Sequence, residues 1–114
     1  MRPRPQAPLP LLWRTLAHYF QLDEAQARTW WHALRHSTRH EAAGWRQALL
    51  LYEDTATPGR SPDDVVHFVQ ATCSPQTVMD VLETLVQEGQ MHRPVARVLE
   101  EHVLTRVDRE GHWR

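Results

Sequence analysis

The sequence predicts an all-α protein, a compact six-helix antiparallel bundle. Helix start signals recur along the chain, and the apolar residues between them follow a helical period. No stretch alternates apolar and polar residues as a half-buried strand would. At 114 residues the chain fits one domain with its own core.

Residues 1–8 read as an extended tail, because Pro3, Pro5 and Pro8 interrupt regular hydrogen bonding. The six-helix body is expected over residues 9–108, and residues 109–114 as a frayed end. Pro10 suits the first position of helix one, where Leu12, Leu16, Tyr19 and Phe20 form one stripe. Asp23 with Gln26 makes a capping box for helix two, which buries Ala27, Trp30, Trp31 and Leu34. Thr38 with Glu41 repeats that pattern, launching helix three through Tyr52 on a seam of Ala42, Trp45, Leu49 and Tyr52.

Thr57-Pro58-Gly59 stops helix three, and Ser61-Pro62-Asp63-Asp64 starts the next with a hydroxyl cap, a proline and two carboxylates against the helix dipole. Val65, Phe68, Val69 and Thr72 lie behind that start. Ser74-Pro75 restarts the chain at once, and Val78, Leu82, Leu85 and Val86 bury helix five before Gly89 ends it in a left-handed cap. Pro94 opens helix six, carried by Val95, Val98, Leu99, Val103 and Val107. Short connections imply antiparallel neighbours.

Charge is divided along the chain. Through Leu50 there are seven Arg against three acids; from Leu51 to Glu110 there are five Arg against eleven. Every cation is Arg, a planar fork suited to pairing with carboxylates. The overall net charge of −1 argues against a general nucleic-acid binder. Apolar runs are too short for a transmembrane helix or signal peptide, and the lone Cys73 suits a reducing compartment, so a cytoplasmic location is expected.

Catalytic and metal chemistry find little to build on. His32, His36 and His40 recur at a spacing that zinc ligands use, but the start at Thr38 breaks the helix, and no Cys or acid completes the set. Cys73 and His67 do not share a helix face, and Cys73 falls at a helix C-terminus, the wrong end of the dipole for a reactive thiolate. The expectation is a non-enzyme with no metal, cofactor or small-molecule ligand.

The surface offers more. Arg28, Arg35, Arg39 and Arg46 fall on helices two and three, whereas Asp63, Asp64, Glu83, Glu88, Glu100 and Glu101 populate helices four to six. Two unlike faces on one small body permit a heterologous contact between copies, steered by opposite potentials. Adjacent tryptophans cannot share one core line, so either Trp30 or Trp31 lies at the rim, with Trp31 beside Arg28 and Arg35 as an anchor for a protein partner, or a wide apolar face absorbs both.

Trp13-Arg14-Thr15-Leu16-Ala17 followed by Phe20-Gln21-Leu22-Asp23-Glu24 resembles the opening of a death domain. The resemblance continues through Ala48 to Tyr52, Ser61 to Phe68 and Val78 to Leu85. It departs where the family's short third helix has no distinct counterpart between Leu34 and Thr38. Six helices suit the death-fold superfamily, caspase-recruitment-type domains included. The resemblance implies a non-catalytic adaptor assembling through like-fold contacts; with an Arg-only composition it points to a bacterial version serving immune or antiviral defence signalling. The competing expectation is a bacterial immunity protein whose acidic helices neutralise a toxin. A helix-turn-helix regulator fits less well, since the helices flanking the Ser74 corner carry Asp63, Asp64, Asp80 and Glu83 but no Arg.

Overall fold

The computed structural model describes residues 9–54 and 62–114. The N-terminal tail, the Thr57-Pro58-Gly59 stop and the Ser61 cap lie outside them, as do the side chains of Glu41 and Tyr52. Among the described residues the architecture is six α-helices and no strand: α1 Leu11–Phe20, α2 Glu24–His36, α3 His40–Asp54, α4 Pro62–Thr72, α5 Pro75–Gln87 and α6 Arg93–Leu104.

Local chemistry sets most of the boundaries. Asp23 accepts from the Gln26 amide while Gln26 returns a bond to the Asp23 amide, closing the expected capping box. Ser74 caps α5 through the Thr77 amide, with Pro75 in its first turn. Gly89 takes a φ of 82°, and the Gln90 amide returns to the Leu85 carbonyl at 2.9 Å, a left-handed cap that turns the chain toward α6. Gln21 takes the same conformation after α1, at φ 57°.

The α3 start differs from expectation. Helix α3 begins at His40, so Thr38 stands ahead of the cap position, and its amide donates to Glu88 at 2.6 Å. A carboxylate from the far end of α5 does what Glu41 was expected to do.

Helix α1 packs on α2, α4 and α3, while α5 joins α3 to α6. Between them lies an aromatic core. Trp30 meets Trp13, Phe20 and Trp45 at centroid distances of 6.0, 5.8 and 5.5 Å. Around it Leu16, Leu34, Val65, Val69, Leu82, Leu85 and Leu99 are fully buried. Two expected core positions lie outside: Val98 is 39% exposed and Thr72 is exposed. Ala96 and Cys73 take the inward positions instead.

The end of the chain is folded, which corrects the expectation of a frayed C-terminus. Asp108 accepts from the amides of Glu110 and His112, and Val107 pairs with Trp113 in an antiparallel bridge. That turn delivers the Trp113 ring to Phe20 at 5.8 Å and its indole N–H to the Cys73 carbonyl at 2.7 Å. Arg106 reinforces it, donating to the Tyr19 carbonyl at 2.6 Å and lying over the Tyr19 ring. Trp113→Ala is expected to cost about 2 kcal/mol and Trp113→Phe, which keeps the ring and loses the donor, about 1 kcal/mol. Urea unfolding measures both; wild-type stability in Trp113→Ala would mean that the turn bears no load.

Candidate protein-docking surface

The outward face of α2 carries a row of donors. Arg28, His32 and Arg35 follow one another at four- and three-residue spacing, His36 stands four past His32, and Arg39 lies just beyond the helix; Arg28 is mostly covered and the others are exposed. This row exists because α2 turns both tryptophans inward. Trp31 is only 8% exposed, so it is not the rim anchor that adjacency suggested. Its ring is covered by neighbours on its own helix: the Arg35 guanidinium lies 5.0 Å from the ring centroid, and His32 stacks at 5.0 Å. The covering side chains are thereby held in place, which lowers the entropy lost when a partner binds them.

Arg28 sits at the start of the row, its Nε and Nη2 bonded to Glu24 at 3.0 and 2.8 Å. Past Glu24, the α2 face bears no carboxylate. Arg46, also expected in the basic group, is half-buried on α3.

The acidic side is less coherent than the sequence suggests. Asp63 and Asp64 are exposed in the first turn of α4, which packs on α1; Glu100 and Glu101 ride on α6, which packs on α5. Glu83 is taken by Arg93 at 3.1 and 2.9 Å, and this fork holds its carboxyl below the ordinary glutamate value. Glu100 lies in the field of the same arginine. Glu101 is exposed in the last turn of α6, with Leu104, 54% exposed, one turn on.

Glu88 has an internal role. Its carboxylate accepts from the Ser37 hydroxyl at 2.6 Å and from the Thr38 amide and hydroxyl at 2.6 and 2.9 Å. Burial works against the charge, but these bonds and the nearby Arg39 outweigh it, leaving the carboxyl below its ordinary pKa. The clamp ties the exit of α2 to the end of α5. Beside it lies an open groove of about 350 Å³, lined by Arg28, Thr29, His32, Ala33, His36 and Gln90. Ala33 is the one apolar residue of the lining, and Gln90 joins it from the α5–α6 turn. The spacing of His32 and His36 was legible in the sequence; the contribution of Gln90, on a distant turn, was not.

Among the described residues no three His, Cys, Asp or Glu side chains are grouped to hold a metal ion, and no helix is long and apolar enough to cross a membrane. The Cys73 side chain is buried, and burial pushes its thiol up to about 12, an effect that Trp45 beside it offsets only in part. No protein-family model, curated protein or solved structure matches the chain.

Two outcomes are expected. Because the folded pKa of Glu88 is lowered, its stabilising effect is complete above the ordinary glutamate range and is lost as pH falls through the lowered value. Glu88→Gln therefore costs about 1 kcal/mol at neutral pH and flattens the acid limb of a thermal-melt series; an unchanged limb would remove the clamp's electrostatic role. Cys73 stays unlabelled by a chromogenic disulfide reagent at neutral pH until denaturant unfolds the chain, and rapid labelling of the native protein would contradict its burial.

Proposed function

We propose that this protein is a non-catalytic docking domain that associates with copies of itself, the basic α2 face of one copy meeting acidic residues of the next. The carrying observation is the pre-positioned row on α2, where Arg35 and His32 are held against the buried Trp31. Such a face recognises carboxylates without first having to order its side chains. The exposed acids Asp63, Asp64 and Glu101 stand on other helices of the same chain, so the contact is heterologous and propagates from copy to copy. The six-helix body accords with the death-fold resemblance, and adaptor assembly in defence signalling within the cytoplasm is part of this proposal.

Light scattering against concentration and salt tests it. The wild-type chain self-associates, and association weakens as salt screens the contact. Arg35→Glu is monomeric with unchanged helical circular dichroism. A wild-type chain that stays monomeric at its highest soluble concentration, or an Arg35→Glu chain that assembles normally, sinks the reading.

A further inference from the structure

The groove beside the Glu88 clamp combines concavity, donor chemistry and rigid walls. Its polar lining is Arg28, Thr29, His32, His36 and Gln90, with no carboxylate among them. The acids nearest in the chain are both engaged, Glu24 by Arg28, whose charge it partly offsets in turn, and Glu88 by Ser37 and Thr38. Both walls are fixed. Helix α2 is tied to the end of α5 through Glu88, and Gln90 is set by the left-handed turn at Gly89 and the return of its own amide to the Leu85 carbonyl. His32 is further held by its stack on Trp31.

We infer that this groove is a carboxylate socket, and that its occupant is Glu101 of a second copy. The assignment rests on the self-association reading and names its contact. Glu101 belongs to the last turn of α6, where the partial negative charge of the helix end adds to that of the side chain. Asp63 and Asp64 stand at a helix N-terminus, whose positive partial charge opposes docking on a basic groove. Glu101 also has the longer reach, and the exposed Leu104 one turn on supplies an apolar contact beside it. Arg106, just past α6, is already committed to the Tyr19 carbonyl and ring, which leaves Arg97, one turn before Glu101, as the arginine beside it on α6. The carboxylate enters between His36 and Gln90 and accepts from their side chains, in the field of Arg28.

The test is made on the full chain by sedimentation and cross-linking. Gln90→Glu and Glu101→Arg each weaken association roughly tenfold or more, as a like charge brought into a docking contact should, whereas Asp63→Arg leaves it unchanged. A Gln90→Cys chain mixed with a Leu104→Cys chain gives a heterodimer with a short bismaleimide, and a Gln90→Cys chain mixed with an Asp63→Cys chain does not. The native thiol does not interfere, because Cys73 is buried. Wild-type association lost in Arg35→Glu but kept in Gln90→Glu and Glu101→Arg overturns the socket and leaves the docking reading standing. Loss in Asp63→Arg with retention in Glu101→Arg overturns the choice of occupant. A monomeric wild-type chain overturns both.

Discussion

Ring contacts among Trp13, Phe20, Trp30 and Trp45 fix how α1, α2 and α3 cross, and every surface feature follows from that crossing. With Trp30 locked against three rings, α2 has one rotation about its axis in which Ala27, Trp31 and Leu34 are also covered. That rotation points His32, Arg35 and His36 outward and leaves Arg28 mostly covered beside Glu24. It has a cost, because the indole N–H groups of Trp30 and Trp31 are buried without an acceptor, while that of Trp45 has only the Cys73 sulfur. Each such donor forfeits about 1–3 kcal/mol, which the large apolar area of a buried indole offsets. Trp113 shows the other solution, entering from the rim with its donor satisfied by the Cys73 carbonyl.

Charge that is segregated along the chain is less segregated on the folded surface. The sequence contrast between a basic front and an acidic back is real. Folding then neutralises much of the back half locally, as Arg93 takes Glu83 and lies near Glu100. It also removes Glu88 from the acidic set by turning it onto the α2–α3 connection. The front half loses less: Arg28 pairs with Glu24, while Arg35 lies over an aromatic ring rather than beside a carboxylate. A coherent basic face therefore survives, and the acidic counterpart shrinks to separate residues on α4 and α6. Specificity in such a contact comes from where one carboxylate fits, since exposed ion pairs individually contribute roughly 0–1 kcal/mol.

What could be read from the sequence was what is encoded within about four residues. The Asp23–Gln26 box, the Ser74-Pro75 start, the Gly89 turn and the buried faces of α1, α2 and α5 all depend on neighbours in the chain. The misreadings fall where long-range bonds decide. Thr38 gave a local capping pattern, but its amide partner is Glu88, fifty residues away. Residues 109–114 lack a helical pattern and so looked frayed; their order comes from Trp113 reaching Cys73, forty residues back, and from Arg106 reaching Tyr19. Two adjacent helical residues diverge by about 100°, which sets one of Trp30 and Trp31 at the rim unless the apolar face is wide. The apolar face of α2 is wide enough for both indoles, because Arg35 and His32 lie over Trp31 on the solvent side.

The clamp at Glu88 links stability to recognition. A carboxylate bonded to three donors of the α2–α3 connection stabilises the fold, and it also sets the distance between α2 and the turn that bears Gln90. Were the same carboxylate directed outward, it would bring negative charge to the basic row. Turned inward, it withdraws that charge and stiffens the groove wall in a single arrangement. A socket for an acidic group needs both effects, since its donors must be rigid and nearby carboxylates must not compete for them. The Gly89 turn supports the clamp by leading the chain away just past Glu88, the cap of α5, so that the acid meets the α2 exit and Gln90 lines the groove. Packing of the core, capping of α5 and the charge of the α2 face thus converge on one short stretch, Glu88 to Gln90.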